Sequence, residues 1–407
     1  MRSFFLCDKF SRKGLRRDFM KILHTSDWHI GKRLADRERL PEQDAVLLQI
    51  ADICKKEAVD LVLVAGDIFD TYVPSAEAEE LFYRRIKEIA QGRTIVLISG
   101  NHDDGVRLCA AAPFLAEHGV YLFGNKPAAV PVRAEGGAGI VESGENYAIV
   151  ANEAGERVYL NLLPYPNEAR LKEDKTDESY AEKTARWIAR GEAGYRGDLP
   201  HILVAHVFVA GGSVSESERD IDLGGARAVP LSSLPEHGYV ALGHLHKRQR
   251  AGKNGYYSGS ILQYSFDEAN TSKSVMLLET KGNEVELVRE IPLTVGKKLV
   301  RLECNGVEEA LKLLPHYEEC YIELTINLDA PLTSAQTQAL RECNTGLVNL
   351  IARVGGEERA NVPLRSMLKA DELFSLYYRS QFAADPPPEL LTAFLALVKE
   401  NDETENA

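Results

Sequence analysis

Five short apolar runs, at 21–25, 61–65, 94–99, 201–205 and 239–242, are rich in Ile, Val and Leu and each stops at a glycine or polar turn. Runs of this length with such an ending read as buried β-strands. Between the first three, the apolar spacing changes to a helical one. The segment 42–56 places Val46, Ile50 and Ile53 on one face, and Ser75 is an N-cap for a helix carrying Ala78, Leu81, Phe82, Arg85, Ile86 and Ile89 up to Gly92. From Met20 to about Pro292 the alternation predicts an α/β fold. After Asn101, glycines at Gly136, Gly137, Gly139 and Gly144 interrupt shorter strands, so antiparallel pairing enters and the sheets are mixed. Residues 180–190 form a charged surface helix with Trp187 and Ile188 turned inward.

A second pattern follows at 297–354: strand 299–303, helix 307–314, strand 321–327, helix 334–341 and strand 346–353, a small α+β module. Beyond it, 364–399 reads as two helices split by Pro386, Pro387 and Pro388, since consecutive prolines lack donors and cannot continue a helix. The second helix lines up Leu390, Leu391, Phe394, Leu395 and Val398 over about three turns, too short to stand alone in water. It needs a surface to dock on, its own domain or an outside partner, and its place beyond the folded modules favours the partner. The boundaries expected are 1–19 for an extension, 20–295 for the main domain, 296–360 for the α+β module and 361–407 for the helical segment and charged tail.

Composition narrows the class. A chain of 407 residues with 44% hydrophobic and 27% charged residues is long enough for two or three globular domains, and no run nears the ~18 apolar residues of a membrane span. Its six cysteines are scattered without a CxxC pair, which suits a reducing cytoplasm better than a disulfide framework or a structural zinc site. The first nineteen residues hold six basic and two acidic side chains and lack the apolar core of a secretory signal; they read as a disordered extension or a misassigned start, or else as a basic arm for nucleic acid. The net charge of −13 argues against long-range attraction of a polyanion by the whole chain, so a nucleic-acid substrate would need a metal centre, local basic clusters or a partner.

The chemistry lies behind the five strands, at Asp27-Trp28-His29, Gly66-Asp67, Gly100-Asn101-His102-Asp103, His206 and Gly243-His244-Leu245-His246. Loops leaving the carboxyl ends of strands are where α/β sheets build ligand sites, so five such ends carrying Asp, His and Asn predict one site. A pair of divalent ions about 3.5–4 Å apart needs a bridging carboxylate with imidazole and oxygen ligands around it. Asp67 is the bridge. Asp27 and His29, two apart in an extended turn, project to one side and can clasp one ion. His244 and His246 repeat that spacing and can be divided between two ions, while Asn101 adds a carbonyl oxygen and His206 another imidazole. Two divalent ions bring four positive charges and these two aspartates return only two negative ones, which leaves a centre that attracts phosphate oxygens. His102 points elsewhere from its loop and suits donation of a proton to a leaving oxygen. Asp70 and Asp103 are candidates for orienting imidazoles from behind. Singly, an Asp-x-His or a Gly-Asp is an ordinary turn; the ordered set carries the reading. The other histidines, His24, His118, His201, His237 and His316, lack that context and are expected to be structural or solvent-facing.

This ordered set resembles the calcineurin-like metallophosphoesterase family, whose fold is two facing mixed β-sheets flanked by helices. Within the family the stretches from His24 to Lys32, Gly66 to Asp70, and Tyr257-Ser258-Gly259-Ser260 with Gln263-Tyr264-Ser265-Phe266 are similar to bacterial nuclease subunits that process DNA breaks, over about 20–399. The resemblance implies two Mn²⁺ ions (Fe²⁺ or Zn²⁺ being acceptable to the same donors), one held by Asp27, His29, Asp67 and His246 and the other by Asp67, Asn101, His206 and His244, with His102 as the catalytic histidine. It further implies a DNA-capping role for the α+β module and binding of 364–399 to the coiled-coil base of an ATPase partner, in a homodimer within a heterotetramer acting on double-stranded DNA ends and hairpins. One departure is Asp70, where archaeal and eukaryotic relatives carry histidine, so a phosphate-positioning role does not transfer. Two other functions compete: a phosphoesterase for small or protein phosphoesters, which would give the module and terminal helices no task, and a non-catalytic DNA-end tether, which would not need a complete ligand set.

Overall fold

In the computed structural model, which describes residues 17–125, 137–166, 178–218 and 227–354 together with Phe374, Ser375, Tyr378, Pro386, Pro387, Leu390, Leu391 and Phe394, the five apolar runs are strands inside two sheets. Strands β1 (Lys21–Thr25), β2 (Leu61–Ala65), β3 (Thr94–Ile98) and β4 (Val120–Phe123) run parallel, and β12 (Lys273–Lys281) and β13 (Glu284–Leu293) extend them antiparallel, in the order β13-β12-β1-β2-β3-β4. The second sheet has the order β10-β11-β9-β8-β7-β6-β5, with β7 (Arg157–Leu163), β8 (His201–His206), β9 (Tyr239–Gly243) and β11 (Gly255–Tyr257) parallel. Its β5 (Gly139–Gly144), β6 (Tyr147–Ala151) and β10 (Gln249–Ala251) pair antiparallel. Both sheets are mixed, as the glycine-broken strands after Asn101 predict.

The reason the runs are apolar throughout is visible in where alternate residues go. Leu61, Leu63 and Ala65 of β2 meet Leu160, Ile202, Val204 and Ala241 of the second sheet, while Val62 and Val64 turn to the other face. There they pack on helix α1 (Leu40–Glu57) through Val46 and Ile50, and on α2 (Ala76–Ile89) through Leu81, Phe82 and Ile86. Leu203, Ala205, Val240 and Leu242 turn away from the inter-sheet core and cover Trp187 and Ile188 of the helix Tyr180–Glu192. A strand covered on both faces has no polar alternation. The Ser75 hydroxyl caps α2 by accepting from Ala78 N at 3.3 Å, and that helix buries the six side chains expected of it.

A third sheet, β14 (Lys298–Asn305), β15 (Cys320–Leu328) and β16 (Leu347–Val354) in that order, carries helices Val307–Leu313 and Ser334–Cys343. Leu299 and Val348 pack with Leu34 and Phe266, and Glu42 of α1 accepts from Lys297 N at 2.8 Å and Tyr321 Oη at 2.9 Å. By packing, residues 1–326 with 332–352 form one compact unit, and 327–331 with 353–407 a second. Within that second unit Phe374 stacks on Phe394 at 4.2 Å, and the Pro387 carbonyl accepts from Leu390 and Leu391 N at 3.0 and 3.1 Å, opening a helical turn past the prolines. The rest of the expected partner-binding segment and the extension at 1–16 lie outside the described residues. Among the described residues no helix is long and apolar enough to cross a membrane.

Candidate metal centre

Parallel strands put their carboxyl ends at one edge, and here the edges of both sheets coincide. Gly243 at the end of β9 comes so near β2 that a Cβ there would lie 1.8 Å from the Ala65 carbonyl oxygen, and one on Gly66 would lie 2.2 Å from His206 Nδ1. Only glycine permits this approach, which explains the Gly-Asp and Gly-His dipeptides in physical terms. Asp27 and His29 are not extended, as their spacing suggested, but left-handed, with φ of 52° and 45°; Asp67 (50°) and His244 (104°) share the region. Such non-glycine conformations cost about 1–3 kcal/mol each and persist where neighbours enforce them. The enforcement is a backbone zipper: Asp27 N donates to Gly66 O and His29 N to Asp67 O, both at 3.0 Å. Gln43 Nε2 and Tyr264 Oη hold the same turn through the His29 and Trp28 carbonyls, at 2.8 and 2.5 Å.

All seven expected ligands converge. Asp67 Oδ2 lies 3.4 Å from His29 Nε2 and 3.4 Å from His206 Nε2, midway between two groups. On one side His29 Nε2 faces His246 Nε2 at 2.9 Å, with Asp27 close enough that the donor atoms of Asp27, His29 and His246 fall within 4.8 Å of one another. On the other, Asn101 Oδ1 is 2.9 Å from His206 Nε2 and 3.1 Å from His244 Nδ1. Every one of these residues is buried.

The donor set fits divalent cations. Two imidazole nitrogens facing each other at 2.9 Å cannot both carry protons, so at least one lone pair is turned toward its neighbour in a buried place. Two buried carboxylates stand in the same pocket: burial, and secondarily the charge of Asp67, pushes Asp27 up to about 6. Burial works against a charge on His206, yet the carboxylates of Asp67 and Asp27 drive it up to about 9, so the site draws positive charge onto whatever group can accept it. Burial and the neighbouring His29 hold His246 well below the ordinary imidazole range, in the neutral form a metal ligand requires. His206 Nδ1 lies 2.8 Å from the Ala65 carbonyl, which can only accept; Nε2 is therefore the lone-pair nitrogen in the neutral ring and points at Asp67.

His102 stands beside this set. Its backbone N donates to Asp67 Oδ1 at 2.8 Å and its Nδ1 to the Asp70 carbonyl at 2.7 Å, and its ring lies edge-on to His29 with centroids 4.7 Å apart. Asp70 Oδ1 sits 3.2 Å from His29 Nδ1 and 3.7 Å from His102 Nδ1 and takes Lys32 Nζ at 2.8 Å, so it does lie behind two imidazoles. Asp103 does something else. Its carboxylate accepts from Gly100 N (2.8 Å), Ile68 N (3.1 Å) and Phe69 N (2.9 Å), and so clamps the loop after β3 to the loop after β2 instead of steering an imidazole. The short side chain is spent on its own turn and the adjoining backbone, a use to which Asp in a loop is prone.

Residues to which the sequence assigns no role support His246. Ser217 Oγ is 2.6 Å from its Nδ1 and donates to Glu268 Oε1 at 2.9 Å; Glu268 in turn pairs with Lys273, whose Nζ donates to the His246 carbonyl and Ser260 Oγ at 2.8 Å. Glu218 accepts from His246 N at 2.6 Å. Ser260 and Ser265 lie in the stretch already singled out by resemblance, whereas Ser217, Glu218, Glu268 and Lys273 carry no such mark.

A two-sheet α/β sandwich with imidazoles, an amide and a shared aspartate at one strand-end pocket defines a metal-dependent phosphoesterase, and residues 20–248 match the family model described as calcineurin-like phosphoesterase. The chain belongs to that family. It is 36% identical over 405 residues to SbcD, the D-type component of the nuclease SbcCD, of Bacillus subtilis (strain 168), spanning 94% of this chain and 100% of that protein. It is 33% identical over 342 residues to the SbcD of Rhodobacter capsulatus, and 31% identical over 325 residues to that of Escherichia coli (strain K12). These cover 77% of this chain in each case and 82% and 78% of the relatives.

Proposed function

We propose that this chain is the D-type nuclease component of an SbcCD complex, a divalent-metal-dependent hydrolase of DNA phosphodiester bonds. The observation that carries the reading is the place of Asp67, whose Oδ2 is shared at equal distance between the His29 and His206 groups. That geometry occurs in a chain aligned along its length with an SbcD nuclease. On this reading Asp27, His29, Asp67 and His246 hold one ion and Asp67, Asn101, His206 and His244 the other, with Mn²⁺ as the proposed metal and Fe²⁺ or Zn²⁺ acceptable to the same donors. Bound there, the ions would polarise the phosphodiester and supply a nucleophile from water near neutral pH.

The chain's own part is positional and proton-linked. The zippered left-handed turns set the donor atoms before substrate arrives, and the Ser217–Glu268–Lys273 network keeps the His246 ring in one orientation. As water adds to phosphorus and one P–O bond breaks, the leaving oxygen needs a proton, and His102 gives it from Nε2 while Nδ1 stays donated to the Asp70 carbonyl. The substrates proposed are double-stranded ends, cut as a 3′→5′ exonuclease, and single strands or hairpins, cut endonucleolytically. The setting proposed is repair, replication and recombination in the cytoplasm, with an SbcC-type ATPase bound through 361–407, the α+β module capping DNA, and a homodimer within a heterotetramer.

The test is cleavage of end-labelled duplex and hairpin DNA with Mn²⁺, with and without the ATPase. Hydrolysis of small phosphoesters with no DNA cut under any condition would sink this reading. His102→Ala is expected to lower cleavage about 10²–10⁴-fold with the bound-metal count unchanged; a lost ion would make His102 a ligand instead, and full activity would remove it from the reaction. Deleting 364–407 is expected to abolish co-purification with the ATPase while basal Mn²⁺-dependent cleavage persists. Continued co-purification would show that the apolar stripe at Leu390, Leu391 and Phe394 binds something else.

A further inference from the structure

Sequence alone marks His201 and His237 as structural or solvent-facing, yet the fold brings them together with Glu192 at the pole opposite the metal centre. His201 opens β8 and His206 ends it, so the two places are separated by about 16 Å of strand at ~3.3 Å per residue. His237 lies in the turn just before β9 and Glu192 ends the helix Tyr180–Glu192. The donor atoms of the three residues fall within 4.8 Å of one another. His201 Nε2 is 2.9 Å from Glu192 Oε1, and His237 Nε2 is 3.3 Å from Oε2.

The geometry points to a second divalent-cation site here, made by Glu192, His201 and His237 and suited to Zn²⁺. The buried histidine is the independent sign. His201 is fully buried, its Nδ1 has no hydrogen-bonding partner, and its Nε2 faces the Glu192 carboxylate with Oε1 2.9 Å away. With Nε2 of this buried imidazole turned toward a carboxylate and a second imidazole, a cation between them would take a donor from each of the three. Four-coordinate zinc, with bonds of about 2.0–2.1 Å, places its ligand atoms roughly 3.3 Å apart; here the imidazoles of His201 and His237 stand 2.9 and 3.3 Å from the two oxygens of the carboxylate.

The surroundings hold the rings as a site would. Tyr159 stacks on His201 at 5.7 Å and Tyr195 on His237 at 5.3 Å, with interplanar angles of 15° and 5°. Asn161 Nδ2 donates to Glu192 Oε1 at 2.6 Å and fixes the carboxylate. Gly238, at φ +68°, lets the His237 turn approach so near that a Cβ would lie 2.3 Å from the His201 carbonyl oxygen and 2.9 Å from its Nδ1. The His237 side chain is 50% exposed, so a cation can enter from solvent and keep one position open to water. Its effect would be to tie the end of the helix to the leading ends of two central strands, away from the phosphoesterase chemistry.

The full-length chain is tested with Zn²⁺ alone as the probe, by equilibrium dialysis and metal analysis of wild type and His237→Ala. The exposed ring can be removed without opening the core, and Mn²⁺-dependent cleavage by the variant is expected to stay at the wild-type level. Wild type should bind one zinc more per chain than His237→Ala, whatever the loading of the main centre; equal counts overturn the site. In a second measurement, modification of His237 by diethylpyrocarbonate is followed by mass spectrometry. Zn²⁺ should slow it at least tenfold in wild type and leave Glu192→Gln unprotected; lack of protection in wild type, or equal protection in both, also overturns it and leaves the cluster a plain ion pair.

Discussion

Asp67→Asn is expected to lower Mn²⁺-dependent DNA cleavage by about 10³-fold or more, since disturbing only the outer partners of metal ligands already costs about 10–100-fold. The substitution is isosteric and keeps an oxygen for the His102 N–H that Oδ1 now accepts at 2.8 Å. What it removes is the charge at Oδ2, the atom 3.4 Å from both His29 and His206. One oxygen facing two groups serves both, so its loss is felt twice. Metal titration should show the count falling below that of wild type, with the far-ultraviolet circular dichroism unchanged. Activity within tenfold of wild type at full metal loading would show that Asp67 is not the bridge.

Lys273→Met carries the largest expected effect on stability, a loss of about 3–5 kcal/mol, the range for breaking a buried pair by removing one partner. Glu268 has no exposed surface and Lys273 is 6% exposed. The carboxylate keeps neutral donors, Ser217 and Ser265 hydroxyls at 2.9 and 3.0 Å and Tyr264 N at 3.2 Å, but loses its only ammonium partner among the described residues. Urea unfolding would measure the loss, and adding Glu268→Gln should restore part of it because no buried charge is then left alone. A single-variant loss under about 1 kcal/mol would mean that the pair is as weak as one in solvent. Cleavage should fall too, since Ser217 and Glu268 stand behind the His246 ring.

These two cases mark what is legible in the sequence. Asp67 is readable because it follows a run, 61–65, whose apolar continuity names a strand, and because four other runs end in the same kinds of donor. The bounds of the five apolar runs agree to within a residue, and α2 starts and buries what its Ser75 cap and spacing predict. Lys273 and Glu268 are not readable: charged side chains are expected at the surface, and their pairing with His246 depends on three separate chain segments meeting. Proximity in sequence assigns Asp103 to the imidazoles, whereas its carboxylate satisfies backbone N–H groups that no spacing rule exposes. The left-handed turns at Asp27 and His29 escape for the same reason, since they answer to carbonyls of the neighbouring loop. His201 and His237 look ordinary because only the parallel pairing of β8 and β9 brings them side by side.

The seam at Gly243 has a consequence for how the centre tolerates change. Asp67 follows a strand of one sheet and His244 a strand of the other, and at Gly243 the backbones meet with no side chain between them. The spacing of the two halves of the pocket is therefore inherited from the thickness of the hydrophobic layer formed by Leu63, Ala65, Val204 and Ala241, and not from the loops that carry the ligands. Protein interiors transmit a change of even one methylene, so those four unreactive side chains act as the gauge of the catalytic pocket.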